Sequence, residues 1–252
     1  MSLIRFDTNS DRGPSGALWG RLVDWVRGTL AVQGGALDGT DYFPYNAGDL
    51  TLSADTGFAA TPLAVPFGVV SFTADAGTYP GAGYVRNCYI DLTDIREVCT
   101  EARFHRTLGA TGTESSFLGF SDQLAAAVYD ASGGLDGGSG EDTLGLLWNN
   151  DGTVDLVSVV DSAAMVVLYN DVATGVTGGV GVFHEFGVRI RKDTATKYTI
   201  FASVDGIVRK VHVASTAIPQ NAMRPVLVTT ISATDAPVMG VDWHFTLDAT
   251  PA

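Results

Sequence analysis

Lysine is scarce in this sequence: Lys192, Lys197 and Lys210 are the three among 252 residues. Arginine brings the basic total to 15 against 28 acidic residues, a formal net charge of -13. The densest basic cluster is Arg189, Arg191 and Lys192. No patch is basic enough to hold a phosphate backbone, so nucleic acid is excluded as a partner, and an anionic membrane surface is disfavoured for the same reason. Long apolar runs are missing too. The stretch from Ala163 to Tyr169 is far too short to span a bilayer. The start, Met1 to Phe6, carries one Arg and no apolar leader, and no Asn-X-Ser/Thr site occurs, so cytoplasmic synthesis without standard export is expected. Cysteine is limited to Cys88 and Cys99, which excludes a disulfide-dense scaffold.

The chain is rich in punctuation. Thirty Gly and nine Pro separate short apolar runs, and hydrophobic residues make up 46% of the chain, enough for a large core. Alternating apolar and polar residues predict strands near 83–92, 96–107, 115–121, 124–130, 143–148, 153–160, 164–170, 182–191, 197–204, 207–214, 225–232 and 239–247. Asp205-Gly206, between two such runs, is a strong hairpin signal, and Asn149-Asn150-Asp151-Gly152 marks another turn. In the last run Met239, Val241, Trp243, Phe245 and Leu247 alternate with Gly240, Asp242, His244 and Thr246. No segment of helical periodicity appears after residue 40. The pattern predicts an all-β fold of two packed antiparallel sheets.

The N-terminal part reads differently. Residues 1–16 are polar, like an arm. Leu18, Trp19, Leu22 and Val26 then follow at helical spacing with Gly28 as a stop, which predicts a short amphipathic helix from Ala17 to Arg27. That helix packs on its own domain or docks a neighbour. Residues 29–82 are the least regular, with aromatics at Tyr42, Phe43 and Tyr45. The expected organisation is an arm and helix over 1–40 and a single β-sandwich over 41–252.

From Phe183 to Thr230 the chain reads FHEFGVRIRKDTATKYTIFASVDGIVRKVHVASTAIPQNAMRPVLVTT. An apolar-Arg strand (Val188-Arg189-Ile190) leads to a strand ending in Val204-Asp205-Gly206. A return strand, a loop with Ile218-Pro219 and an apolar strand at Arg224-Pro225-Val226-Leu227 follow. This layout resembles the closing strands of concanavalin-A-like (laminin-G-like) jelly rolls, and Glu101 to Gln123 is similar to an earlier strand pair of that fold. The Gly/Ala/Thr/Asp-rich texture resembles virion proteins of tailed bacteriophages. The resemblance covers about 60% of the chain and carries fold signatures rather than a reactive motif. It implies a jelly-roll sandwich on the virion surface, made in the bacterial host cytoplasm. The implied role is a non-enzymatic head decoration or cement protein whose partners are the major capsid protein and copies of itself, a trimer among the options. The alternative is a tail fibre or spike module that binds host surface glycans, with Tyr42, Tyr45 and Trp148 as contact candidates.

Reactive chemistry is little signalled. A hairpin turning at Thr93-Asp94 would set Cys88 opposite Cys99, so a cross-strand disulfide is one reading and two free thiols the other. Glu97 and Glu101 share the face of Cys99. A glycosidase of this fold would carry Glu-x-Asp-x-x-Glu on one strand, and that run does not occur. Asp91 and Asp94 flank a turn and read as solvated loop carboxylates. His105, His184, His212 and His244 fall on separate strands, with His212 and His244 at surface positions by alternation. The glycine-rich loop Asp130 to Asp142 carries Asp130, Asp136, Glu141 and Asp142, a possible calcium loop of irregular spacing. No catalytic residue, cofactor or established metal site is expected.

Overall fold

The computed structural model describes residues 50–52, 59–63, 69–73, 81–86, 89–107, 115–123, 128, 135, 141–161, 163–230 and 238–249. Among them are fifteen strands and one 3-10 turn, Ser215–Ala217. Strands β1 (Leu50–Leu52), β2 (Ala59–Leu63) and β3 (Val69–Thr73) come from the segment that reads as irregular in sequence. They are followed by β4 (Gly81–Arg86), β5 (Ile90–Asp91), β6 (Glu97–Arg106), β7 (Ser116–Ser121), β8 (Thr143–Trp148) and β9 (Val154–Val159). The chain closes with β10 (Val166–Ala173), β11 (His184–Thr194), β12 (Lys197–Val204), β13 (Ile207–Ala214), β14 (Ala222–Thr230) and β15 (Val238–Ala249). The expected arm and helix, with Leu18, Trp19, Leu22 and Val26, lie outside the described residues, as does all but Val128 of the strand expected at 124–130.

All pairings are antiparallel. One sheet has the order β13-β12-β11-β6-β15-β3-β2; the other runs β1-β4-β14-β7-β8-β9-β10, with β5 also paired to β14. Apolar residues alternate along each strand, so each sheet turns one apolar face inward. From the seven-stranded sheet come Val98, Ala102, Phe104, Phe186, Val188, Ile190, Ile200 and Val204. Leu118, Phe120, Leu144, Leu146, Trp148 and Leu156 meet them from the other sheet. At the centre Phe104, Trp148 and Phe186 pack ring on ring, with centroids 4.9 to 5.9 Å apart. Each such pair contributes about 0.5–1.5 kcal/mol beyond the area it buries. The Trp148 indole N–H donates to the Val176 carbonyl at 3.2 Å, so its own polar atom is satisfied in the core. Trp148 is 1% exposed, which removes it from the candidate glycan contacts. A second cluster, Phe117, Val128, Leu135, Leu147, Val157, Val226 and Val228, covers the outer face of the eight-stranded sheet.

Three sequence expectations are corrected by this topology. The turn at residues 91–94 is present: Asp91 Oδ1 accepts from the Thr93 N–H at 2.8 Å, and the Asp94 N–H donates to the Asp91 carbonyl at 3.1 Å. It does not close a hairpin. β4 and β5 join the eight-stranded sheet, whereas β6 joins the other, because Leu92 and Ile95 bury themselves at the crossing between layers. The hairpin on which the Cys88–Cys99 reading depended therefore does not form. Cys99 is a free, buried thiol, and Cys88 lies outside the described residues. The third correction concerns β15, where the register with β6 slips between Val241 and Trp243. This bulge gives Asp242 the extra place and reverses the alternation beyond it. His244 consequently faces inward opposite Ala102, 1% exposed, with its Nε2 2.8 Å from Thr100 Oγ1, rather than at the surface.

Candidate functional site

The outer face of the seven-stranded sheet is built of polar side chains. Residues two apart on a strand share a face, so β6 places Glu97, Cys99, Glu101, Arg103 and His105 there in a row. The ladder sets Arg191 opposite Glu97, Arg189 opposite Cys99, Gly187 opposite Glu101 and Glu185 opposite Arg103. β12 continues the face with Thr199, Phe201 and Ser203, opposite Arg191, Arg189 and Gly187, and β13 ends it with Lys210 and His212.

Arg189 organises the centre. Its Nε donates to Glu97 Oε1 in an ion pair that is almost wholly buried, and its guanidinium lies over the Phe201 ring at 4.9 Å. Arg191 Nε donates to Asp193 Oδ1 at 2.9 Å. Asp193 in turn accepts from Thr199 Oγ1, which lies 2.9 Å from His212 Nδ1. These bonds hold the Asp193 carboxyl below the usual range even though partial burial opposes them. At the other end Arg103 pairs with Asp242, the bulge residue, and stands 3.9 Å from Glu185. Phe183 packs there against the Arg103 guanidinium at 4.9 Å and edge-on to His105 at 4.8 Å. Gly240 faces His105, and a Cβ there would come within 2.2 Å of His105 Nε2, so this position requires glycine.

The middle of the row is withdrawn from water. Burial, reinforced by the negative charge of Glu185, raises the Glu101 carboxyl well above the usual carboxylate range. Burial likewise raises the Cys99 thiol, with Glu101 adding to the effect, and lowers the His105 imidazole. Four polar atoms on this face lack a hydrogen-bond partner: Glu97 Oε2, Glu101 Oε2, His105 Nδ1 and Ser203 Oγ. Buried polar atoms are nearly always bonded, so the four are unusual; among the described residues Arg106 Nε, Thr143 Oγ1 and Arg224 Nε also lack a partner, away from this face. The ends of the row are more open, with the side chain of Arg103 36% exposed, that of Glu185 44% and that of Arg191 24%.

Other candidates from the sequence fall elsewhere. His184 bonds to Asp205 at 2.6 Å and to the Thr177 carbonyl at 3.0 Å, at the hairpin turn. The four histidines thus do not converge: His105 and His212 share the outer face at opposite ends, and His244 is in the core. Asp142 is buried and accepts from the Asp161 N–H at 2.6 Å and the Asn221 amide at 2.6 Å, so it ties loops together. Asp130 and Asp136 lie outside the described residues, and among the described residues no three His, Cys, Asp or Glu side chains group as a metal site. An apolar hollow of about 440 Å³ beside β9 and β10 has Asp161 as its one ionisable lining residue.

Sequence reasoning passed over Glu97 and Glu101 as a pair. Its test was a fixed hydrolase spacing, and it treated them as neighbours of a cysteine. The signal was present in Glu97-x-Cys99-x-Glu101-x-Arg103-x-His105, five polar residues on one face of a strand whose other face is apolar. A strand with an unbroken ionisable face, in a fold that hides most of its surface, marks the site.

No family model matches the sequence, and no curated protein matches it. Solved structures do resemble it. The PL-14 alginate lyase from Aplysia kurodai superposes with a TM-score of 0.52 at 12% identity, over 79% of this chain and 90% of that one. The Emp47p carbohydrate recognition domain gives 0.50 at 13% identity, over 81% and 90%. Peanut lectin gives 0.50 at 12% identity, over 81% and 94%. These comparisons overturn the expectation of a non-enzymatic chain. That expectation rested on the missing Glu-x-Asp-x-x-Glu run of a hydrolase, and an alginate lyase is built on the same fold. The chain has a concanavalin-like jelly-roll fold, shared with lectins and with a polysaccharide lyase.

Proposed function

We propose that the outer face of the seven-stranded sheet binds a carbohydrate, and that the ligand is a neutral glycan. The observation that carries this reading is the set of orphaned polar atoms on that face, Glu97 Oε2, Glu101 Oε2, His105 Nδ1 and Ser203 Oγ. A sugar hydroxyl both donates and accepts, so a run of hydroxyls can satisfy atoms of either kind at once. Phe183, partly exposed, supplies apolar surface at the Arg103 end of the face. The lectins of the same fold bind carbohydrate on a jelly roll, which makes the reading compatible with the architecture.

Charge selects against an acidic glycan. Arg189 faces Glu97, Arg103 faces Asp242 and Glu185, and Arg191 faces Asp193. A uronate would have to displace a carboxylate from one of them, on a chain of net charge -13. The alginate of the similar lyase is therefore not carried over to this chain. The head-decoration role expected from the sequence draws no support from these features, and its glycan-binding alternative accounts for them better. A virion location, if it holds, would set this face against polysaccharide at the host surface.

Calorimetric titration with a panel of neutral and uronate-containing oligosaccharides tests the reading. Binding of a neutral member is expected, weakened several-fold by Ser203→Ala, whose Oγ lacks a partner, since one hydrogen bond is worth about 0.5–1.5 kcal/mol. A protein that binds uronates alone, or nothing in the panel, would overturn it.

A further inference from the structure

Among the described residues, three exposed large apolar side chains stand in a row: Met165, Val166 and Val167, at 36%, 55% and 44% exposure. They lead into β10, the edge strand of the eight-stranded sheet. We infer that two copies of the chain meet at this patch, across a twofold axis that seats the apolar side chains of each copy in a hollow of the other.

The other sheet edges among the described residues carry features that keep an edge single. β1 has three residues, β2 contains Pro62, and β13 exposes Arg209 and Lys210. β10 has neither charge nor proline from Val166 to Asn170. Its ladder with β9 slips between Val167 and Tyr169 and again between Tyr169 and Ala173. Such bulges spoil an edge for the addition of another strand, but they leave Met165, Val166 and Val167 uncovered. The contact is therefore made by side chains and not by a continued ladder.

Beside these residues lies the hollow of about 440 Å³. Its apolar lining comes from Val160, Ala163, Ala164, Val166, Leu168 and Ala217. Val166 belongs to both the patch and the hollow, so one neighbour covers both. In a head-to-tail ring one neighbour would take the patch and another the hollow, and the two would collide. A twofold contact satisfies both at once, because each copy gives what it receives.

Charge points to a second copy as the occupant. At a net charge of -13, two copies repel over most of their surfaces. No charged residue occurs from Ala163 to Asn170, and Asp161 is the one ionisable residue lining the hollow. Two copies can meet here without opposing like charges, and removal of apolar area from water drives the contact. A basic partner would be drawn to the acidic surface elsewhere. No residue of this patch belongs to the outer face of the seven-stranded sheet, so a dimer would present two such faces to a repeating polysaccharide.

Sedimentation velocity of the full-length protein over a range of concentrations, in low and high salt, tests the inference. A monomer–dimer equilibrium is expected, tighter in high salt because the repulsion between two acidic copies is screened. Val166→Asp and Val167→Asp should each raise the dissociation constant about tenfold or more, as loss of a central apolar contact does. Their melting temperatures in dilute solution should stay close to that of the unchanged protein, because both side chains are exposed. Ile207→Asp changes an exposed apolar residue at the end of β13 far from the 3-10 turn, and it should leave association unaltered. A trimer, a dimer that survives both valine substitutions, or association that weakens with salt would overturn the inference. A monomer at every concentration would overturn it too; if that monomer dimerises on Leu22→Asp, the cover is the chain's own segment 17–27. No glycan enters these measurements, so their outcome stands apart from the carbohydrate-binding reading.

Discussion

Glu101 shows at the scale of one residue what the site does to stability. Its carboxyl is raised in the folded state, so between the unfolded and folded values the native protein holds a proton that the unfolded chain has lost. Stability rises with pH where the unfolded state binds more protons, and here the native state binds more. The contribution of Glu101 is therefore fully present below the unfolded value and is lost as pH rises through the folded one. Glu101→Gln removes that dependence. Urea denaturation of the two proteins at pH 5 and pH 8 should show the variant losing less stability across the interval; equal losses would mean that Glu101 ionises in the fold as it does in the unfolded chain. The sequence displayed this residue's face but not its burial. Cross-strand neighbours such as Gly187 and Ser203 come from strands about a hundred residues away, and their register with β6 is set by tertiary pairing.

At the scale of elements, local signals were read well where they act alone. The Asp205-Gly206 turn has φ of 48° and 81° at its two residues, the left-handed pair that a tight hairpin needs, and β12 and β13 span the ranges their alternation predicts. Alternation failed where a single residue changes the count. The bulge at Asp242 turns His244 inward, and nothing in the local pattern of β15 announces it. The turn at Asp91 was legible from the spacing of the charged pairs around it, although Thr-Asp is a poor hairpin turn. That the strands on either side part into different sheets was not, because their partners lie at β14 on one side and at β11 and β15 on the other. The same strand offers an element-scale prediction. Gly240→Ala would drive a methyl into the His105 ring and should destabilise the fold by about 1–3 kcal/mol. Adding His105→Ala should recover part of the loss. Thermal melts read both, and an unchanged melting temperature for Gly240→Ala would show that the two strands do not approach as described.

Over the whole molecule the two sheets differ in how they use their outer faces. The eight-stranded sheet covers its own with a second apolar cluster, Phe117, Leu147, Val157, Val226 and Val228 beneath Val128 and Leu135. The seven-stranded sheet carries paired charges and four orphaned polar atoms on the same side of the adjacent strands β6, β11 and β12, while the eight-stranded sheet leaves Thr143 Oγ1 and Arg224 Nε without a partner. Such atoms stabilise nothing as they stand, since each buried polar group without a partner costs about 1–3 kcal/mol. The fold class was legible from periodicity and turns, and the overall architecture followed from it. The site was not, because it exists only once strands distant in sequence lie side by side.

The most direct measurement is an NMR titration of the isotopically labelled protein with the neutral oligosaccharide that binds it best. The account predicts shifts concentrated on the amides of Glu97 to His105, Glu185 to Arg191 and Thr199 to Ser203. Shifts confined to the eight-stranded sheet or to the hairpin turns at Asn149 and Asp205, with the outer face of the seven-stranded sheet silent, would contradict it.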